Sequence, residues 1–445
     1  MNIALLHYRV GETDGVSLEM DKWRQVLISM GNQVFYVAGN HSKIDAYVIE
    51  EIGFNNPLDL KIASNCYEKL IDYTPSSLKE AIEEQAKIIE NKLSHFIKTK
   101  KIDLIIPNNV FALGRSIPIA KGILNAIEQT HIQVICHHHD FYWERERYSH
   151  PQTDYVLDSL NHLFPPIHYP MQHVVINSYA QKSLMEKKGL TSTIVPNVFD
   201  FDLFPWIMDA YNADFKESLG VNQNQVLILQ ATRVVNRKAI ELAIDVVDQM
   251  NQMQHKRKWI GKKLYDGRTF DKDTEFVLAV LGLHEGTDHY EDKLIEHAAS
   301  KNVHMIMNPN LVDHTRYEKN NKKIYSLWDA YVHADLITYP SIYEGFGNQF
   351  LEGLFAKKPM IVFEYSVFEQ DIKSKGFSYV SLGNTYITKD NGLVEVEKKV
   401  TIQAAQQAMK YLCDTKYRNQ EVEKNYRLGQ LHYSMNTLKK IIETL

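Results

Sequence analysis

The feature that most constrains the fold is a regular alternation between short β-rich runs and amphipathic helical patterns. In the first half of the chain the β-rich runs lie at 2–10, 32–39, 101–109, 132–140, 173–179 and 191–197. In the second half they lie at 225–235, 275–282, 303–307, 335–340 and 359–365, and helical patterns lie at 238–252, 290–300, 324–334 and 348–358. Strands that alternate with helices form parallel sheets covered by helices. The pattern therefore predicts an α/β protein.

Because the alternation occurs twice, we expect two doubly wound, Rossmann-like domains. The join is predicted near 196–206, where proline and aromatic residues interrupt the periodicity. The domains then span 1–200 and 201–415, and a charge-rich helical stretch at about 40–101 is interpreted as an insertion into the first. Two such sheets facing one another would form a cleft at the carboxyl ends of their strands, where open α/β folds usually bind a ligand.

The composition excludes several classes of protein. Hydrophobic residues make up 44% of the 445 residues and charged residues 24%, which is typical of a globular protein. The formal net charge of -5 gives no indication of a nucleic-acid partner. Three widely spaced cysteines favour a reducing compartment over a disulfide framework. The pattern of a signal peptide or a membrane span is not apparent, so we expect a cytoplasmic protein.

A glycine-rich turn after the run at 335–340 leads into a predicted helix and carries two glutamates, Glu344 and Glu352. Gly345 and Gly347 let the backbone approach a ligand closely, and the start of the helix offers backbone N–H groups to a phosphate. The two carboxylates repel phosphate but accept hydrogen bonds from vicinal hydroxyls. A nucleotide sugar, which has ribose and hexose on either side of a diphosphate, satisfies both requirements. A turn cap and a solvated helix residue are the alternative for the glutamates alone.

Two cations lie where they could reach the same ligand. Arg233 falls at the end of a predicted strand, and Lys238 lies at the start of the next helical pattern. If both point into the cleft, they neutralise a diphosphate leaving group, a task that many transferases give to a metal. Two solvated surface cations are the alternative.

Together these motifs resemble those of the retaining nucleotide-sugar glycosyltransferases of glycosyltransferase family 4, which have the GT-B fold. The resemblance rests on Arg233 with Lys238 and on the Glu-x7-Glu spacing within 340–362. Further matches lie at 175–184, 195–204 and 431–442. The resemblance implies that the helices at 416–445 cross back to the first domain.

Carried onto this sequence, the resemblance implies a role for each residue of the motifs. Glu352 would hold the ribose hydroxyls of the donor, and Glu344 would lie beside the donor sugar. Arg233 and Lys238 would bind the diphosphate. Backbone groups of the turn would contact sugar or phosphate, which adds to the donor-binding set Gly345, Phe346 and Gly347. In the first domain, Gly15 matches a glycine-rich loop near the donor phosphate and the acceptor, although Thr13 and Asp14 stand where that family often has paired glycines.

A run of three histidines, 137–139, followed by Asp140, ends the run at 132–140. Adjacent residues of an extended chain point to opposite faces, so the three imidazoles cannot easily ligate one ion, and we predict no metal site. A loop histidine satisfied by its neighbours is one interpretation. The resemblance implies another, in which a His-Asp pair ends this strand and its histidine contacts the donor sugar. His139 with Asp140 fits that pair best, and His138 is second.

Other charged motifs compete with this interpretation. Asp200 with Asp202 and Asp271 with Asp273 have the Asp-x-Asp spacing of the metal site in transferases of the other major fold. We interpret both pairs as solvated or capping residues. The basic run 255–263 is interpreted as a solvated surface, with contact to anionic lipid or an acidic acceptor as the alternative.

The resemblance implies a retaining hexosyltransferase that requires no metal or other cofactor and uses a nucleoside diphosphate sugar as co-substrate. The departing phosphate would help to deprotonate the acceptor, so no carboxylate nucleophile of the enzyme is needed. We expect a donor of the UDP-glucose or GDP-mannose type and a small soluble acceptor, a sugar or a glycerate-like compound. The rival interpretations are a metal-dependent hydrolase built on His137–Asp140, a non-catalytic sugar-nucleotide sensor and a GT-B epimerase.

Overall fold

The computed structural model describes residues 1–12, 14–40, 44–283 and 289–445. The described chain divides into two compact units. The first comprises Met1–Val198 and Met435–Leu445, and the second comprises Phe199–Ser434. The predicted boundary after residue 200 thus lies within two residues of the observed one.

The first unit is built on a parallel sheet. Its strands within the described ranges are β1 (Asn2–Leu6), β2 (Gln33–Ala38), β3 (Tyr47–Val48), β4 (Leu104–Pro107), β5 (Gln133–His138), β6 (Gln172–Val175) and β7 (Thr193–Ile194). Their order is β3-β2-β1-β4-β5-β6-β7, and neighbouring strands are parallel. Since β1, β4 and β5 are adjacent, the residues that follow these strands lie at one edge of the sheet.

Helices cover this sheet, and most begin at a side-chain cap. They are α1 (Gly15–Ser29), α2 (Pro57–Tyr67), α3 (Pro75–Lys100), α4 (Ile117–Thr130), α5 (Asp154–Leu163) and α6 (Ser178–Lys188). Asp14, for example, accepts hydrogen bonds from the N–H groups of Val16 and Ser17, which satisfies two donors at the start of α1. The predicted insertion at 40–101 contains α2 and α3, as expected for a helical stretch, but it also contributes the edge strand β3.

The second unit has strands β8 (Gln225–Gln230), β9 (Glu275–Val280), β10 (Met305–Met307), β11 (Val312–Asp313), β12 (Tyr317–Lys319), β13 (Lys322–Ser326), β14 (Leu336–Tyr339), β15 (Met360–Val362), β16 (Val380–Ser381), β17 (Ile387–Thr388) and β18 (Val394–Glu395). The main sheet is parallel and has the order β10-β9-β8-β14-β15-β16. A small sheet has the order β11-β13-β12, and β17 pairs with β18. The second unit therefore repeats the doubly wound arrangement of the first.

The helices of the second unit are α7 (Phe215–Ser218), α8 (Ile240–Asn251), α9 (Met253–Lys256), α10 (Tyr290–Ser300), α11 (Leu327–His333), α12 (Asn348–Phe355), α13 (Lys398–Cys413) and α14 (Thr415–Tyr433). The helix predicted at 324–334 begins later than expected. Its first residues belong to β13, because the side chain of Ser326 caps α11 by accepting from the N–H of Asp329.

The segment predicted to cross back, 416–445, is divided between the units. Most of it forms α14, which packs with α12 and α13 in the second unit. After Ser434 the last helix, α15 (Met435–Ile442), packs against α1 in the first unit, where Leu438 is fully buried. In the described ranges no helix is both long and apolar enough to cross a membrane.

Candidate functional site

A buried polar network at the carboxyl ends of β8 and β14 supports one loop of the site. Thr338 on β14 donates through Oγ1 to Gln230 Oε1 at 2.6 Å, and Gln230 Nε2 donates to Thr232 Oγ1 at 2.5 Å. All three side chains are buried. Such a network holds a single geometry, because breaking one bond leaves a buried polar group unpaired. It therefore positions Arg233, which follows Thr232 directly.

The loop after β8 is joined to the loop after β14. Residues Asn236–Lys238 form a single 3₁₀ turn, and α8 begins at Ile240. The carbonyl of Arg237 accepts from the N–H of Ile342 at 3.0 Å, and Arg237 Nη1 donates to the carbonyl of Tyr343 at 3.1 Å. These bonds bring the two loops, and with them the predicted cations and Glu344, to one place.

Glu344 is held by two cations. Lys238 Nζ donates to Glu344 Oε1, and Arg237 Nη1 donates to Glu344 Oε2 at 2.7 Å. The side chains of Lys238 and Glu344 are only 9% and 11% exposed, whereas that of Arg237 is 35% exposed. Arg233 is exposed and lies near enough for its charge to act on Lys238. This group, Arg233, Arg237, Lys238 and Glu344, is called the cation cluster below, and its cations outnumber its carboxylate.

The environment changes the pKa of both buried members of the cluster. Burial alone would raise the pKa of Glu344, but the charges of Lys238 and Arg237 outweigh burial and hold that pKa below its ordinary value. Burial also lowers the pKa of Lys238, an effect that Glu344 opposes and that Arg237 and Arg233 reinforce. Glu344 is therefore an anion at neutral pH and a weak base.

The turn at 345–347 fits closely under the start of α12. The carbonyl of Phe346 accepts from the hydroxyl of Tyr365. Gly347 has a φ of 130°, and a Cβ added there would lie 2.7 Å from Tyr339 Oη and closer still to Tyr365 Oη. Only glycine fits this position without strain. Because Gly347 is also the cap of α12, the cap contributes no side-chain acceptor, and an anion can bind at the first turn of the helix.

Glu352 lies one turn into α12 and is half-buried. Tyr331 on α11 donates through Oη to Glu352 Oε2 at 2.6 Å, and Tyr331 is itself buried. A carboxylate offers about four acceptor positions on its two oxygens. This bond takes one of those positions and orients the carboxylate of Glu352.

In the first unit, Asn109 organises the segment after β5. Its Oδ1 accepts from the N–H of His139 at 3.0 Å, and its Nδ2 donates to Asp140 Oδ1 at 2.7 Å. Arg145 Nε donates to Asp140 Oδ2 at 3.1 Å. Asn109 has a φ of 57°, in the left-handed region that asparagine tolerates. The predicted pair His139 and Asp140 is thus held by bonds from two neighbouring loops.

The side chain of His139 combines a lowered pKa with a buried ring nitrogen that has no partner among the described residues. Burial lowers its pKa to about 4 despite the opposing charge of Asp140, so the imidazole is neutral at physiological pH. Its Nε2 is buried and has no hydrogen-bond partner among the described residues. Buried polar atoms are nearly always hydrogen-bonded, so this nitrogen suits a bond to a substrate.

The histidine run does not converge on one point within the described residues. The ring of His137 lies on the same side as that of His139, with centroids 4.4 Å apart, and its Nδ1 lies 3.0 Å from Asn108 Oδ1. His138 instead meets His173, with Nε2 and Nδ1 3.0 Å apart. This divergence follows from the alternation of side chains along a strand, and it removes the geometric basis of the predicted alternative, a hydrolase with a metal site at His137–Asp140.

Gly15 is the first residue of α1 and is exposed. The preceding Asp14 is occupied as the cap of this helix, and Arg9 Nε lies 3.1 Å from its Oδ2. Thr13 lies outside the described residues. The role of Gly15 in a donor-binding loop therefore stays a prediction.

The two Asp-x-Asp pairs form local turns. The N–H of Asp202 donates to Asp200 Oδ1 at 3.0 Å, and the N–H of Asp273 donates to Asp271 Oδ1 at 2.9 Å. The capping interpretation of both pairs is confirmed.

In the second unit, the structure brings together Arg233, Lys238, Glu344 and the turn at 345–347. The sequence interpretation missed Arg237, although it directly precedes Lys238 and the tandem of basic residues after a strand was a usable signal. It also missed Tyr331, for which no motif exists.

Comparison with known proteins agrees with this fold. A glycosyltransferase from Rickettsia africae has a TM-score of 0.66 and 12% identity, over 100% of this chain and 97% of that chain, a likeness that shows the fold alone. Two Rossmann-like units of this kind define the GT-B class.

The family model described as glycosyl transferases group 1 matches residues 212–427, which include the cation cluster and Glu352. A mannosylglucosylglycerate synthase of Petrotoga mobilis is 39% identical over 440 residues, covering 99% of this chain and 100% of the relative. One of Thermotoga maritima is 37% identical over 447 residues, covering 99% of each. The chain belongs to the group 1 glycosyl transferases and is a glycosyltransferase.

Proposed function

We propose that this glycosyltransferase transfers a mannosyl group, with retention, from a nucleoside diphosphate sugar to glucosylglycerate. The observation that carries the proposal is the cation cluster beside the start of α12, which suits a diphosphate leaving group. Both full-length relatives are named for the synthesis of mannosylglucosylglycerate, which supports mannose as the transferred sugar. Of the two donor types predicted from the sequence, this favours GDP-mannose over UDP-glucose.

Arg233, Arg237 and Lys238 would stabilise the negative charge that develops on the diphosphate as the glycosidic bond breaks. Preorganised cations in a site with little water act strongly on such charge. Lys238 is nearly enclosed, so its charge is poorly screened by solvent. The first turn of α12 would add backbone N–H groups on the other side of the phosphates. A divalent cation is then not needed to hold the leaving group.

Glu344 would orient the donor sugar and would not attack it as a nucleophile. Its two bonds to Lys238 and Arg237 use only part of its acceptor capacity, so a hydroxyl of the donor sugar can donate to it. Because its pKa lies below the ordinary value, it is a poor base for deprotonating an acceptor. This supports a mechanism in which the departing phosphate takes the acceptor proton and no carboxylate attacks the sugar.

The remaining predicted contacts complete the donor site. Glu352, oriented by Tyr331, would accept hydrogen bonds from the ribose hydroxyls. His139 would use its unpartnered Nε2 to contact the donor sugar, with Asp140 fixing the loop. A cytoplasmic location is proposed on the separate ground that Cys66, Cys136 and Cys413 are all free thiols.

The test is a matrix of transfer reactions. GDP-mannose and UDP-glucose are each incubated with glucosylglycerate, glycerate or a neutral disaccharide, with and without a chelator, and products are identified by mass spectrometry. We expect mannosyl transfer to glucosylglycerate, unaffected by the chelator, and an anomeric configuration by NMR that matches the donor. Inverted configuration would refute retention, and absence of transfer in every combination would refute the proposed donor and acceptor.

A further inference from the structure

A cluster of sulfur and imidazole groups lies inside the first unit, between β5 and β6. Cys136 and His138 are two residues apart on β5 and therefore point to the same face of the sheet. On β6, His173 is the register partner of Cys136. The sheet thus places three potential metal ligands side by side, on the face opposite to the one shared by His137 and His139.

The geometry of this cluster is compact. One donor atom from each of Cys136, His138 and His173 lies within 4.8 Å of the other two. His138 Nε2 is 3.0 Å from His173 Nδ1, and the two rings lie edge to edge with centroids 5.3 Å apart. The side chain of Met171 adds a second sulfur, because its Sδ lies 3.4 Å from Cys136 Sγ.

The cluster is buried but incompletely satisfied. The exposed fraction is 0% for Cys136, 1% for His138 and 6% for His173. The contact between the imidazoles accounts for one nitrogen of each ring, but His138 Nδ1 is buried and has no hydrogen-bond partner among the described residues. An ion held between the rings would take the two nitrogens that face each other, His138 Nε2 and His173 Nδ1, in place of the hydrogen bond between them.

We propose that Cys136, His138 and His173 bind one thiophilic metal ion, Cu⁺ or Zn²⁺. Thiolate and imidazole are the ligands that both ions prefer, and the thioether of Met171 completes a four-donor set suited to Cu⁺. On binding, the thiol S–H bond breaks and its proton leaves to solvent. The imidazole that donates the hydrogen bond between the rings shifts its proton to its other nitrogen, so that one sulfur–metal and two nitrogen–metal bonds form while both imidazoles stay neutral.

The site would be structural. An ion held at about 2.3 Å from sulfur and about 2.0 Å from each nitrogen would join β5 to β6 directly. The segment that β5 carries, with His139 and Asp140, would then start from a fixed strand end. The ion would not itself contact the donor, since the ring of His139 lies beside that of His137, whereas His138 lies beside His173.

The first experiment measures metal content by mass spectrometry of the full-length protein after expression with added zinc or copper and extensive dialysis. We expect one ion per chain in the wild type and none in Cys136→Ser. Cys66→Ser is the matched control, because Cys66 is an equally buried free thiol outside the cluster, and it should keep the ion. Equal metal content in both variants would overturn the proposal.

A second measurement avoids the risk that Cys136→Ser fails to fold. Metal-free wild type is titrated with Co²⁺, which gives an intense near-ultraviolet band when a thiolate binds it. We expect a band that saturates at one equivalent and is lost in His173→Gln. Absence of the band in the wild type, together with no retained zinc or copper, would refute the site. Uptake of copper by the wild type, with weaker Cu⁺ binding in Met171→Leu, would identify copper as the ion. Uptake of zinc but not copper by the wild type, with unchanged Zn²⁺ binding in Met171→Leu, would identify zinc.

Discussion

Replacing Lys238 by methionine separates the contribution of this cation to stability from its contribution to turnover. Methionine keeps much of the length of the side chain but removes the charge that faces Glu344. Removing one partner of a buried ion pair costs about 3–5 kcal/mol. Because Arg237 still binds Glu344 at 2.7 Å and is partly exposed, we expect a smaller loss of unfolding free energy, about 2 kcal/mol.

The expected effect on turnover is larger than this loss. Removing one preorganised group that stabilises developing charge lowers kcat by about 10²–10³-fold. Turnover is measured as the initial rate of product formation at saturating donor and acceptor, and stability is measured by urea denaturation of the same samples. Both measurements are made at a temperature where each variant is folded.

Two further variants make the reasoning refutable. In the double variant Lys238→Met with Glu344→Gln, no unpaired charge is buried, so most of the lost stability should return while turnover stays low. Lys256→Met is the matched control, since Lys256 is also buried but donates to the carbonyl of Thr274, away from the cluster. The reasoning fails if turnover of Lys238→Met stays within about threefold of wild type, or if Lys256→Met loses as much turnover as Lys238→Met.

Three other perturbations test separate parts of the site. Glu352→Ala should raise the donor Kd by about 10–100-fold because hydrogen bonds to a charged group are lost, whereas Tyr331→Phe should change it less than tenfold; equal effects in calorimetric titrations would contradict this. Gly376→Ala should cost only the strain of a φ of 85°, about 1–3 kcal/mol, and Gly347→Ala should cost more in urea denaturation because its Cβ also overlaps two tyrosine hydroxyls. Burial lowers the pKa of His7 from 6.5 to about 4, so the unfolded chain takes up a proton first as the pH falls. The contribution of His7 to stability should be complete above pH 6.5 and should be lost, by up to about 3 kcal/mol, toward pH 4. His7→Gln should reduce that slope, and an unchanged slope would show that other groups cause it.

The main sheets were predictable because their strands are apolar runs bounded by helical patterns. The small sheet was not predicted, since β11, β12 and β13 are short and polar and show no clear alternation. One signal was available: two consecutive asparagines, Asn320 and Asn321, lie between β12 and β13, and asparagine tolerates the positive φ that both residues adopt in this hairpin turn. The division of 416–445 could not be read from the sequence, because both α14 and α15 are helical and the pattern does not show which unit each one covers.

In the site, the resemblance to glycosyltransferase family 4 predicted that Glu344, Glu352 and Lys238 belong together. The sequence did not show which residue binds each of these charged side chains. Arg237 reaches Glu344 because a 3₁₀ turn redirects its side chain, and Tyr331 reaches Glu352 from a different helix. The neighbourhood of His138 likewise depends on the register of β5 with β6, which no local pattern of residues specifies.

The packing of α15 in the first unit affects the order in which the two units can fold during synthesis. Leu438 lies in the same apolar core as Trp23 and Val26, although the whole second unit, Phe199–Ser434, lies between them in the chain. A ribosome translates from the amino terminus, so the core of the first unit stays incomplete while the whole second unit is being synthesised. The unit that is encoded first therefore cannot complete its core until the end of the chain has been made, and the apolar side chains of α1 that pack against α15 stay uncovered during translation.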